Sequence, residues 1–399
     1  MDFEVTLVSK DEHSSTLELS GRITAGNAGE LEKSVDALIA GQTKPTLTID
    51  VENLDYISSA GLRVVMRLRK KSSEVNIVNA SAEVYDIFEI TGFTQIANVS
   101  RAARSMSVEG CKAIGRGGFA TVYRTDPETI VKVYIPSCSR AFVDEEREMA
   151  RRAFVMGVPT AIPYDLVKVG DSYGLVFELL DCKTVAELLA EDPSRMHELA
   201  QRMMGTLKEI HEIEVPEGTL HDRTELLRNW FTDTVGPYLT AEEIKLITDY
   251  LDSIPHTNTF LHGDYHCKNV VEVNGELMLI DIGDAAAGNP VYDVAQTALS
   301  LLMLPKSIEA GRMPPDVLGF DVKLANPLWR DMLKCYFETD DEDEIDKIQG
   351  MIMPLVMMLT NYIGGQHSGN TPEHSKNTAE NAIRTRTIPI LRKVPRYML

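Results

Sequence analysis

Phe260-Leu-His-Gly-Asp-Tyr-His-Cys-Lys-Asn-Val-Val, followed closely by Leu277-Met-Leu-Ile-Asp-Ile-Gly-Asp, is the stretch whose reading decides the fold. Both segments are apolar, strand-like runs that end in clustered Asp, His and Asn side chains. Polar groups set among buried strands are costly unless satisfied, so these either brace one another or face a ligand. Asp264 and Asn269 stand five residues apart, and Asp281 follows Asn269 by twelve. That order offers a proton-accepting carboxylate beside an amide and a second carboxylate, both hard oxygen ligands for a divalent cation.

Upstream, Ile114-Gly-Arg-Gly-Gly-Phe-Ala-Thr-Val-Tyr lies between two strand-like runs. Its glycines 115, 117 and 118 let backbone approach a phosphate without side-chain obstruction. Ile130-Val-Lys-Val-Tyr then places Lys132 inside a β-branched strand, where an ammonium needs an anionic partner. A helix from Phe142 to Phe154 follows, with candidate partners Glu145, Glu146 and Glu148, and after it the apolar strand Tyr173-Gly-Leu-Val-Phe-Glu-Leu-Leu. The chain contains no Walker A sequence, which excludes a P-loop NTPase.

Loop, Lys, Asp, Asn and Asp in this order resemble the protein-kinase superfold, an α+β bilobal architecture. Two details are similar to the aminoglycoside phosphotransferase and choline kinase group within it. The catalytic loop reads His-Gly-Asp-x-His-x-x-Asn, with His266 where protein kinases usually show Lys. Asn289-Pro-Val-Tyr-Asp293 then comes only twelve residues after Asp281, which leaves no room for a protein-kinase activation loop. One departure is Ala120, which stands at the third glycine of the protein-kinase loop.

The resemblance implies an ATP- and Mg²⁺-dependent phosphotransferase acting on a hydroxyl of a small molecule. Asp264 would be the base, and Lys132 would grip phosphates with Glu148 as its partner. Gly115, Gly117 and Gly118 would cover the phosphates, and backbone from Glu178 to Leu180 would face adenine. Asn269 and Asp281 would hold Mg²⁺. Asp293 would brace a helix. The domain is expected over 105–399, with an N-lobe at 105–182 and a C-lobe at 183–399.

Residues 1–104 read as a separate α/β unit with helices on a mixed sheet. Leu47, Ile49 and Val51 alternate with polar neighbours as a half-buried strand. Ala25 to Ala40 and the segment around Leu62, Val65 and Met66 show helical spacing, with Arg63, Arg67 and Arg69 turned away. Glu74-Val-Asn-Ile-Val-Asn is a strand, and Ser81 caps the next helix. The turn Asp55-Tyr-Ile-Ser-Ser-Ala-Gly-Leu-Arg, with Leu17-Glu-Leu-Ser-Gly-Arg before it and Ile90-Thr-Gly-Phe after it, resembles the STAS domain of anti-sigma-factor antagonists. The resemblance implies a protein partner and a phosphorylated serine just before a helix, here Ser59. Ser58 replaces an Asp common in switched members, and a plain helix cap is the alternative role for either serine.

Composition narrows the partners. Asp and Glu number 60 against 40 Lys and Arg, a net charge of −20, which disfavours nucleic acid and anionic membranes. Five cysteines without a CxxC pair argue against a disulfide framework or a structural zinc. The start Met1-Asp-Phe-Glu lacks the pattern of a signal peptide, so a cytoplasmic protein is expected. The Asp340–Glu344 run reads as a solvated helix start. Arg384, Arg386, Arg392, Lys393 and Arg396 form a local basic cluster to which the sequence attaches no role. Two alternatives to the small-molecule kinase are a regulator whose kinase domain phosphorylates Ser59 or a related protein, and a nucleotide-sensing pseudokinase.

Overall fold

The computed structural model describes residues 3–367 and 371–398; Met1 and Asp2 of the amino-terminal start lie outside them. The chain forms two compact units, Met1–Met106 and Ser107–Leu399. No described helix is long and apolar enough to cross a membrane.

In the first unit the antiparallel pair β1 (Phe3–Lys10) and β2 (Ser14–Ile23) leads into parallel strands β3 (Thr46–Asp50), β5 (Glu74–Ala80) and β6 (Asn98–Arg101). The sheet order is β1-β2-β3-β5-β6, and β4 (Leu54–Ile57) also pairs with β2. Helices α1 (Ala28–Leu38), α2 (Ser59–Lys71) and α3 (Ala82–Ile90) connect the strands. Leu17 and Leu19 on β2, Leu47 and Ile49 on β3, and Val75 and Ile77 on β5 alternate into one core, the period a half-buried sheet requires. Leu62 and Val65 of α2 are buried against it, but Met66 is exposed; Val64 and Leu68 complete the inward stripe instead. Ser81 caps α3 by accepting the Val84 N–H.

A two-residue strand, β7 (Arg104–Ser105), ends this unit. The second unit opens with five antiparallel strands: β8 (Lys112–Arg116), β9 (Ala120–Arg124), β10 (Thr129–Tyr134), β11 (Pro163–Val169) and β12 (Ser172–Glu178). They lie in the order β11-β12-β10-β9-β8, with α4 (Arg140–Val155) capped by Ser139. The larger remainder is mostly helical. Its strands are short: β13 (Lys183–Thr184), β14 (Thr259–Leu261), β15 (Val270–Val273), β16 (Glu276–Leu279) and β17 (Ala286–Gly288). Before and among them run α5 (Val185–Glu191), α6 (Met196–Ile210), α7 (Arg223–Asn229) and α8 (Ala241–Asp252). After them come α9 (Val291–Ala298), α10 (Leu304–Glu309), α11 (Ala325–Phe337), α12 (Glu342–His367), α13 (Pro372–Asn377) and α14 (Ile388–Lys393). Pro354 does not end α12; Ile352, Leu355, Val356 and Met358 around it are all buried. Nor is the acidic start of that helix merely solvated, since Glu342 pairs with Arg330 and Lys334 of α11.

The tightest point of the first unit is Gly61 on α2. A Cβ there would lie 2.6 Å from Ile23 Cγ2 and 2.7 Å from Ile57 Cγ1, both core groups. Gly61→Ala is expected to destabilise this unit by about 1–3 kcal/mol through overpacking. Hydrogen exchange read by mass spectrometry should show lost protection in β2, β4 and α2 with the second unit unchanged.

Candidate active site

The short pairs β15–β16 and β14–β17 create the site by fixing the ends of the loops they flank. The loop from His262 to Asn269 is held from behind by Asp293, a fully buried carboxylate on α9. It accepts the His262 N–H at 2.7 Å and the Gly263 N–H at 2.8 Å, and His211 Nε2 lies 3.2 Å away. Burial pushes the Asp293 carboxyl up, but these partners, His211 foremost, hold it below the usual carboxylate range.

The loop histidines have opposite duties. His262 Nδ1 accepts the Asp264 N–H at 3.2 Å, so the proton sits on Nε2, 3.1 Å from the Ile280 carbonyl that accepts it. His262 therefore ties the loop to the strand before Asp281. His266 Nδ1 accepts the Lys268 N–H at 3.2 Å, which points its Nε2–H at Asp264 Oδ2, 3.3 Å away.

Asp264 is gripped on both oxygens. Gln296 Nε2 donates to Oδ1 at 2.9 Å, and Asn269 Nδ2 donates to Oδ2 at 3.0 Å alongside His266. Burial alone would raise this carboxyl; the donors, His266 first, outweigh it and keep the group ionised far below the usual range. Among the described residues Oδ1 carries a single donor, which leaves it able to accept from a hydroxyl. Asn269 commits its Nδ2 to Asp264, so its amide oxygen is the atom left for a cation.

Asp281 adopts a left-handed backbone, φ 64°, a conformation rare outside glycine and frequent at functional sites. Its carboxylate pairs with Lys132. Lys132 Nζ also donates to Glu146 Oε1 at 2.7 Å. Burial would lower the ammonium; Asp281 and then Glu146 outweigh that and hold it well above the ordinary lysine range.

The sequence reading gave Glu148 as the Lys132 partner, and here the structure differs. Glu148 faces Arg147 and Arg151 at the surface. Val143, Ala150 and Ala153 are buried on α4, and Glu146, three after Val143 and four before Ala150, shares their stripe. That spacing is the signal that identifies Glu146. Gly283 packs beside it, and a Cβ there would come within 3.1 Å of the Glu146 carboxyl carbon.

The glycine-rich loop joins β8 to β9, closed by the Gly117 N–H on the Ala120 carbonyl at 2.8 Å. A Cβ on Gly118 would meet nothing within 4 Å, so the loop roof opens onto free space. In the connection after β12, the Glu178 N–H is taken by Ile162 and the Leu179 N–H by Glu128. Among the described residues nothing accepts the Leu180 N–H, so it is the donor available there. In the first unit Ser58, not Ser59, caps α2, its Oγ accepting the Gly61 N–H at 3.4 Å. Ser59 is exposed at the first helical position.

Asp284, Arg223 and Gln296 were not singled out from sequence. Burial raises the Asp284 carboxyl, Arg223 opposes, and Asp264 and Asp281 add to the rise. Arg223, 5% exposed, donates to the Asp284 carbonyl at 2.6 Å through the space Gly263 leaves open. These contacts join residues tens of positions apart, beyond the reach of local pattern.

A family model described as "Phosphotransferase enzyme family" matches residues 111–312, and one described as "Mlab, STAS domain" matches residues 6–99. A Bordetella bronchiseptica protein that carries the name of an anti-sigma factor antagonist, BtrV, is 32% identical over 102 residues, 25% of this chain and 87% of that one. The gentamicin complex of APH(2″)-IIa is 17% identical, covers 78% of this chain and 99% of its own, and has a TM-score of 0.46. A choline/ethanolamine kinase family protein from Mesorhizobium loti is 12% identical over 71% of this chain and 92% of its own, with a TM-score of 0.42.

At Gly263, φ is +82°, and a Cβ would lie 1.9 Å from the Asp284 oxygen and 2.2 Å from Arg223. Gly263→Ala combines a left-handed backbone cost of roughly 1–2 kcal/mol with overpacking of about 1–3 kcal/mol. Thermal unfolding of the second unit should fall accordingly, while the first unit keeps its exchange protection.

Proposed function

Given a chain that belongs to the phosphotransferase enzyme family and carries a STAS domain ahead of it, we propose that it moves the γ-phosphoryl group of ATP to a hydroxyl of a small molecule. The observation that carries this reading is the pairing of Lys132 with Asp281 and of Asn269 with Asp264, on two loops joined by the Ile280 N–H on the Asn269 carbonyl. ATP with Mg²⁺ supplies the activated phosphoryl group and charge neutralisation when bound. The residues present fit that pair. Asn269 and Asp281 offer hard oxygen ligands, and Lys132 offers an ammonium that Glu146 orients towards Asp281. The open glycine loop and the unpaired Leu180 N–H suit a nucleotide's phosphates and base.

The chain's own part is orientation and proton acceptance. Asp264 takes the acceptor hydroxyl's proton on Oδ1 while its Oδ2 stays fixed by Asn269 and His266. The acceptor reading over a protein substrate is favoured by the segment after Asp281. It is held within a few residues by β17 on β14, and Ala285, Ala286 and Ala287 are buried. A docking platform for a peptide is therefore small. The STAS unit is proposed to bind a protein partner. A second reading, phosphorylation of Ser59 by this same kinase domain, is motivated by that serine's exposure at a helix N-terminus, where a phosphate is well tolerated.

Incubation with Mg²⁺, γ-labelled ATP and a panel of hydroxylated metabolites and aminoglycosides tests the main reading. Asp264→Asn is expected to lose about 10²–10⁴ in transfer rate while nucleotide affinity stays within about threefold. Label on Ser59 with none on any free acceptor would replace this reading by the second. Unimpaired transfer in Asp264→Asn would remove the assigned base.

The two glutamates separate cleanly. Glu146→Gln should weaken ATP use by about tenfold or more, since an oriented charged partner contributes on the order of 1.5–3 kcal/mol. Glu148→Gln should stay within about twofold, as expected of an exposed ion pair. Steady-state kcat/KM for ATP reads both.

A further inference from the structure

Between the start of α12 and the end of α14 lies a cavity of about 370 Å³, lined by Lys347, Met351, Lys393, Val394, Pro395 and Arg396. Its volume is at the lower end of the range for small-ligand sites. Three cations surround an apolar floor. Several other cations of this region are drawn into ion pairs. Arg384 and Arg392 of the same C-terminal cluster pair with Glu243 and Glu242 of α8, and Arg330 and Lys334 pair with Glu342. Lys347, Lys393 and Arg396 have no ion-pair partner among the described residues.

Local acids do not rescue Lys347. Asp343 and Glu344 stand four and three residues before it on α12, within helical reach. Glu344 instead accepts from the Thr339 hydroxyl at 2.6 Å, and Asp346 accepts from Arg330 at 2.7 Å. The floor is built rather than loose. The Met351 carbonyl accepts from the buried Tyr250 hydroxyl at 2.8 Å, and the Tyr397 N–H donates to Ser253 Oγ at 2.7 Å. Two residues of α8 and its end thus fix both walls.

We propose that this cavity binds an amphipathic small-molecule anion, a phosphate or carboxylate on a short apolar body. The anionic head meets Lys347, Lys393 and Arg396, and the body lies on Met351, Val394 and Pro395. Unpaired cations give the charge complementarity, and the half-buried apolar floor favours an anion that carries an apolar body over a bare one.

The test uses the full chain saturated with ADP and Mg²⁺, so that a phosphate cannot register at Lys132. Calorimetric titration with octyl phosphate and with octanoate should show binding that weakens as salt rises, while inorganic phosphate binds at least tenfold more weakly. The variant K347Q/K393Q/R396Q should lose at least tenfold in affinity for octyl phosphate. Its melting temperature should match wild type, since all three positions are exposed; if it melts lower, the single substitutions, each losing two- to fivefold, carry the test. Vesicles containing phosphatidic acid distinguish the source of the head. Wild-type binding to them that octyl phosphate competes away assigns a lipid headgroup, and binding of octyl phosphate alone assigns a free metabolite. No binding of either octyl anion, equal binding by the variant, or equal binding of octyltrimethylammonium would overturn the proposal.

Discussion

Everything in the second unit's chemistry hangs on Asp293. A carboxylate with no solvent exposure survives ionised only if donors replace its water, and here the donors are the two backbone N–H groups that start the loop from His262 to Asn269, with His211 behind. The loop supplies what the carboxylate needs, and the carboxylate dictates the loop's path. Removing either leaves an unpaired buried group, which is far costlier than the net worth of the bonds themselves. Once His262 is pinned in this way, its ring passes the constraint on, from the Asp264 N–H to the Ile280 carbonyl. Two loops distant in sequence are thereby set in register by one imidazole.

The second constraint is crowding of negative charge. Burial raises the Asp284 carboxyl, and the nearby charges of Asp264 and Asp281 add to that rise. Asp264 is held ionised by its three donors, and the Asp281 carboxylate pairs with Lys132. Arg223 moderates Asp284 from the rear. A site so arranged is acidic on its face and compensated from behind, which suits a cation entering with the nucleotide. The left-handed Asp281 fits the same logic, because strain of that kind persists only where surrounding contacts over-determine it.

Much of this was legible in the chain itself. Lys132, Asp264, Asn269 and Asp281 could be read because each lies in or beside a short apolar strand, where a charged residue stands out against its neighbours. The first unit's strands were legible for the related reason that alternation on a half-buried sheet is a strong periodic signal. Met66 was misplaced because a helix stripe is broad and its edges are decided by what packs across from it. Glu146 against Glu148 was a question of helical face that counting from Val143 resolves. Gln296, Arg223 and Asp284 belong to a different class. Gln296 reaches Asp264 across 32 positions, and Arg223 reaches Asp284 across 61. No local pattern marks a residue whose partner is fixed only by how the helices pack.

That distinction bears on why the acceptor is harder to read than the phosphate donor. Binding a nucleotide makes demands that any member of such a fold must meet with backbone and a few charges, and those leave short, ordered signatures. Selecting the proposed hydroxyl acceptor would depend on side chains gathered from several helices around Asp264, each placed by packing. Gln296 illustrates the point: it sits beside Asp264 with its Oε1 buried and without a partner among the described residues, a costly arrangement in an apolar helix. Holding the Asp264 carboxylate at a fixed angle is the return for that cost. On the proposed reading, the same carboxylate angle would decide which hydroxyl can reach Oδ1, so specificity would be written in the orientation of the base as much as in the walls of a pocket.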